Sequence, residues 1–235
     1  MPSKRGVIRT DATKIYIGAL APFRELRALS GPLTGVSFIG GVGGAVALAD
    51  SPYPRPGSEP AEIRRYFTEN SRSARLSAAG QLISAASLAR FTASVARLAE
   101  RSGWGSRGLR RAAVAGGGLA TASLATSALC TLALSGRWGK DDDSATALAR
   151  RAFVAGGPVH GVGFGVLTGV LALAGLRTSE LPRPVAITGL VSAASGLLSP
   201  LYFVWEPAGG LIPAGRFSGL LVSGIAGARL SRRSG

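Results

Sequence analysis

The chain has 235 residues, 46% hydrophobic and only 17% charged, with 34 glycines, one cysteine and a formal net charge of +15. Charged residues fall below the soluble norm of about 25%, and the mean hydropathy is +0.29, which points to a membrane chain with weakly apolar spans. The lone Cys130 excludes an intrachain disulfide, and with His160 as the single histidine there is little material for a zinc site or a Ser-His-Asp triad.

The positive charge invites a nucleic-acid reading, but its distribution argues against one. Lys and Arg sit in clusters between apolar stretches rather than on one domain face, as in the cytoplasmic loops of membrane proteins. No nucleic-acid partner is therefore expected, and the partner expected first is the lipid bilayer.

Residues 1–29 form a basic N-terminal tail, and IYIGALAPF (15–23) within it is too short to cross a membrane. The first span is predicted over residues 28–49, with Gly40 and Gly44 as a small-residue packing pair. Ala47-Leu48-Ala49 before Asp50 has the look of a signal-peptidase site, but the leading region is unusually long, so the span reading is preferred. Pro52, Pro54, Pro56 and Pro60 hold the first loop extended or turning, and Pro60 with Glu62 predicts a short helix through Tyr66.

The second span is predicted at 76–98 and the third at 112–135, joined by a basic loop. The acidic run Asp141–Asp143 precedes a stretch from Ala152 to Leu176 that is free of Asp, Glu, Lys and Arg. About 20 apolar residues cross a bilayer as a helix, so 152–176 is the strongest span and the expected centre of the bundle. Gly157, Gly161, Gly165 and Gly169 recur every fourth residue, a stripe on which a neighbouring helix can approach closely. The fifth span is predicted at 185–205, kinked near Pro200, and the sixth at 208–228, followed by a basic C-terminal tail at 231–235. The fold class is thus an all-α polytopic bundle of about six spans. Lys and Arg are richer on the side of both termini, so these are predicted to be cytoplasmic.

An ionisable group at membrane depth costs roughly 2.5–3.5 kcal/mol on insertion scales and needs a partner or a purpose. At about 1.5 Å per residue, His160 and Arg216 both lie roughly 12 Å below the outer ends of their spans. With Tyr202 and Glu206 they are the candidate lining of an outward-facing polar pocket; snorkelling by Arg216 and a backbone hydrogen bond from His160 form the competing reading. Arg90 is expected to snorkel. No paired span aspartates, H-E-x-x-H motif or P-loop occurs, so no enzyme activity, metal or cofactor is expected.

The segments SPYPRPGSEPAEIRRYF, SAAGQLISAASLARFTASVARL, AFVAGGPVHGVGFGVL, LPRPVAITGLV and IPAGRFSGL together resemble a group of uncharacterised bacterial integral membrane proteins with six helices and short loops. The resemblance covers residues 30–230 and implies architecture and an inner-membrane location; it carries no activity. The expectation is a non-enzymatic inner-membrane protein acting through helix–helix contacts with itself or with a membrane partner. The alternative is a small transporter or ligand-binding protein that uses the pocket.

Overall fold

The computed structural model describes residues 29–139 and 141–232, and the basic tail at 1–28 and residues 233–235 lie outside the described residues. The described chain is helical throughout, with no strand among its residues, and six of its helices are long and apolar enough to cross a membrane. In chain order these are α1 (Ser30–Leu48), the short α2 (Pro60–Glu69), α3 (Ser71–Glu100) and α4 (Ser106–Leu134). There follow α5 (Asp142–Val154), which runs through a π turn (Ala155–Val159) into α6 (His160–Arg177), then α7 (Arg183–Leu198) and α8 (Leu211–Arg232).

Hydropathy located the apolar stretches, but the helices run beyond them. The fourth extends over Asp142–Arg177, 36 residues instead of the 25 predicted. At 1.5 Å per residue that is about 54 Å, well over the roughly 30 Å of bilayer hydrocarbon, so α5 projects past the apolar zone. Its start is chemically marked: the Asp141 carboxylate, at the N-cap immediately before the helix, accepts from the Ser144 N–H at 2.8 Å. The fifth span ends earlier than predicted, at Leu198, and continues as a 3-10 turn over Ser199–Phe203, because the Pro200 ring cannot take part in an α ladder. A second 3-10 turn, Glu206–Gly210, leads into α8.

The six spanning helices close into a ring. Each packs on its neighbour in sequence, and α8 returns to α1, where Gly31 and Gly227 let the two backbones meet. The α3–α4 reversal is tight, and Gly103 and Gly105 hold left-handed φ values of +84° and +77° that other residues rarely adopt. The α6 helix lies innermost, touching α3 and α8 as well as α4 and α7. Phe91, Phe164, Leu88, Leu167 and Leu171 fill the core around it. Large apolar side chains on the outer faces, such as Val36, Ile187, Val191 and Leu221, remain exposed, as a helix ring in lipid requires.

The glycines pack within this ring, with two departures from the predicted pattern. Gly161, Gly165 and Gly169 face α7: a Cβ on Gly165 would stand 2.9 Å from the Ala193 carbonyl, and one on Gly161 2.6 Å from Ser199 Oγ. Gly157 is looser, 3.7 Å from Ile212. The α6 helix carries a second close face that the four-residue spacing did not reveal, where Gly163 meets Gly116 and Ala120 of α4. On α1 the predicted pair is displaced by one position. Gly40 faces outward with nothing within 4 Å, and Gly44 touches only the Leu76 side chain. The residue that permits the α1–α3 crossing is Gly41, whose Cβ would lie 2.7 Å from the Gly80 Cα. The serines flank that crossing with hydrogen bonds, Ser84 Oγ donating to Thr34 O at 2.8 Å and Ser73 Oγ to Ala45 O at 2.7 Å.

The loop between α1 and α3 folds back over one end of the ring. Pro60 occupies the first turn of α2, and Ile63, Tyr66 and Phe67, spaced for one helical face, are buried beneath it. Tyr53 packs edge-on against Tyr66 and Phe67, with ring centroids 5.2 and 5.8 Å apart. Asn70 ties the base of the strap: its Oδ1 accepts from Asp50 N at 2.8 Å and its Nδ2 donates to Ser51 Oγ at 3.0 Å. Arg64 of α2 pairs with Asp142 at the start of α5, 2.7 Å apart.

Candidate functional site

The site begins with a proline in the longest helix. Pro158 has no N–H to give to the helical ladder, and the chain around it adopts a π turn. The His160 N–H bonds the carbonyls of Ala155 and Gly157 and skips that of Gly156. The Gly156 carbonyl accepts instead from Arg216 Nη2, which reaches across from α8. The Pro158 carbonyl accepts from Ser199 Oγ at 3.2 Å. A backbone irregularity in α6 is therefore satisfied by two side chains from the neighbouring helices, and one of them is the cation that the sequence placed at membrane depth.

Arg216 has more to offer than that bond. Its guanidinium lies over the Phe38 ring, 4.8 Å from the centroid, and its buried Nε has no hydrogen-bond partner among the described residues. It forms part of the wall of a chamber of about 730 Å³, within the size range that encloses a small-molecule ligand. The spanning helices line it with Phe38, Val42, Ala45, Gln81, Ser127, Thr131, Phe153 and Arg216, and the strap adds Tyr53, Ile63 and Phe67. The lining contains Arg55, Arg150 and Arg216 and no aspartate or glutamate.

The four pocket residues predicted from sequence separate. Arg216 and Tyr202 line the chamber, Tyr202 resting against Phe153 with ring centroids 5.3 Å apart. His160 does not line it. Its Nδ1 stands 3.0 Å from the Ala120 carbonyl, which can only accept, so this nitrogen carries the proton. The ring lies nearly parallel to Phe164 at 5.5 Å, so His160 acts as a buried strut between α6 and α4. Glu206 is exposed in the 3-10 turn before α8, outside the chamber lining. Arg90 is also exposed, on the outer face of α3.

Phe38 and Arg150 are not singled out by the sequence. Gln81 reads from sequence as an interhelical hydrogen-bonder but donates to Ser77 Oγ of its own helix at 3.3 Å, and Gly156 belongs to the flexible Gly-Gly-Pro that precedes His160 by a turn. The described residues contain no cluster of three potential metal ligands.

Fold and site define a class: a multi-pass α-helical membrane protein with a half-open chamber at the end of the bundle away from Ser30 and Arg232. Comparison with protein-family models, with curated proteins and with solved structures finds no match to this chain.

Proposed function

We propose that this chain is a non-enzymatic, ligand-binding or transporting membrane protein whose binding site is the chamber beneath the α1–α3 strap. One observation carries the reading. Arg216, a cation at membrane depth, is braced on the Gly156 carbonyl and lines a half-open cavity whose walls hold no carboxylate to neutralise it. A guanidinium kept for packing alone would be expected to snorkel to the headgroups or to meet a buried acid.

The test is saturable binding. Thr146 is an exposed residue of the chamber wall on α5, so Thr146→Trp narrows the chamber from its rim without disturbing the ring. A screen of small metabolites and lipids by thermal shift should find compounds that stabilise the wild type and not this variant. Equal responses from both proteins across the panel would refute the reading.

A second reading has its own observation. Gly40 and Gly43 are open on the outer face of α1, where a helix of a second copy or of a membrane partner could approach. An inner-membrane location with both termini cytoplasmic, and kinship with the six-helix bacterial group, belong to the same proposal. They rest on the charge bias and on the quoted sequence segments. In that orientation the chamber opens away from the cytoplasm.

A further inference from the structure

We infer that the chamber takes an anionic amphiphile, a carboxylate or phosphate head on Arg216 with an apolar tail lying along α1 and under the strap. The inference rests on the chamber being a binding site, and it adds the chemistry of the occupant.

Three features select that chemistry. The first is charge: Arg55 and Arg150 lie among the outer lining residues and Arg216 among the inner ones, and no acid faces any of them within the lining. A neutral or cationic occupant would leave Arg216 uncompensated in a low-dielectric space. The second is hydrogen bonding. Nη2 of the Arg216 guanidinium is committed to Gly156 and its Nε is buried, so Nη1 is the donor left for an oxyanion. Ser127 packs against Gly156, the residue that Arg216 holds, and Gln81 lines the same chamber. By helical rise, Gln81 is about 15 Å and Ser127 about 10 Å from the chamber ends of their helices.

The third feature is the apolar path above the head site. Val42, Ala45 and Val46 form one wall of it, Phe153 another, and Ile63 and Phe67 the roof. An inorganic anion would leave these surfaces against water. An alkyl tail covers them, and each methylene buried tightens binding by about fourfold until the chamber is full. Carboxylate and phosphate heads both suit the guanidinium, and both occur on free metabolites and on membrane lipids.

The experiment is calorimetric titration of the full chain in phosphatidylcholine nanodiscs. The probes are hexanoate, octanoate, decanoate and dodecanoate, with decyl phosphate, decanol and decylammonium beside them. The expected result is an affinity that climbs with chain length and then levels, with decanoate at least about tenfold tighter than decanol and decylammonium not bound. Arg216→Gln should lose about 10- to 100-fold in decanoate affinity and keep its decanol affinity, with Arg216→Lys in between.

Preference for decanoate over decanol is a property of the wild type alone, so the inference stays testable even if the Arg216 variants fail to fold. Equal binding of decanoate, decanol and decylammonium, abolished by Thr146→Trp, would overturn the anion inference and leave the chamber reading standing. No binding that responds to Thr146→Trp would remove both. Adding phosphatidylglycerol to the nanodiscs separates the sources. Competition with decanoate identifies a lipid headgroup as the natural occupant, and its absence a free metabolite.

Discussion

Gly40 and Gly41 are adjacent residues of one helix, and the structure assigns them opposite costs for the same change. A Cβ on Gly41 would lie 2.7 Å from the Gly80 Cα and 3.3 Å from its backbone nitrogen, so Gly41→Ala must push α1 and α3 apart. Overpacking of this kind costs about 1–3 kcal/mol. Separation also strains the Ser84–Thr34 and Ser73–Ala45 hydrogen bonds on either side of the crossing, each worth about 0.5–1.5 kcal/mol net. Against this stands a gain of about 1 kcal/mol in helix propensity, which leaves a destabilisation of about 1–3 kcal/mol. Gly40→Ala meets open space and keeps only the gain. The two variants should therefore differ by about 2–4 kcal/mol, with opposite signs relative to the wild type. Tryptophan fluorescence during SDS titration of detergent-purified protein reads this difference. Equal shifts from the two variants would mean that α1 does not present this face to α3.

His160→Leu should cost about 1 kcal/mol in the same titration, because the Ala120 carbonyl keeps Ser123 Oγ at 3.1 Å as a second donor. It should leave decanoate affinity unchanged, since His160 lies outside the chamber; a large loss of binding would return it to the site. Asn70→Ala unties the strap from Asp50 and Ser51, and limited trypsin digestion should then cut after the exposed Arg65 several times faster than in the wild type. Bonds from the Ser144 hydroxyl and then its N–H hold the Asp141 carboxyl below its ordinary value of 3.8. Its contribution to stability is therefore complete above about pH 4 and is lost as pH falls through the depressed folded value. Asp141→Asn keeps the cap without the titration, so its melting temperature should decline less steeply over that acid range.

What could be read from sequence followed the physics of each segment. The six apolar stretches declared themselves because charge is costly in lipid, and their order and number carried through to the ring. The α2 helix was legible for a different reason. It lies against protein on one side only, so Ile63, Tyr66 and Phe67 stand out against the arginines around them.

The rotation of each spanning helix was not legible. Lipid and protein interior are both apolar, so hydropathy does not distinguish the inward Gly41 from the outward Gly40 beside it. The same blindness hid Gly163 behind the more regular stripe of Gly161 and Gly165. Arg216 was found because it is an anomaly in its span, whereas Glu206 was assigned by proximity in sequence, and the 3-10 turn carries it to the surface. The π turn depends on a carbonyl that finds its partner on another helix, which no local pattern records.

That turn also has a consequence for the chain's tolerance of change. A π turn spends one residue more than an α turn, so the side chains of α5 are indexed separately from those of α6. Deleting a single residue between Ala155 and Val159 would restore a uniform helix with its two halves in about their present register, but would return the freed carbonyl to the ladder and take from Arg216 its acceptor. A deletion elsewhere in α5 or α6 has no surplus to draw on and would rotate one half by about 100° against the other. Either α5 would then lose its register with the strap or Gly161 and Gly165 would swing away from α7. The longest helix of the bundle is in this sense two instructions joined by a one-residue spacer, and its length can vary only beyond its ends or at that spacer.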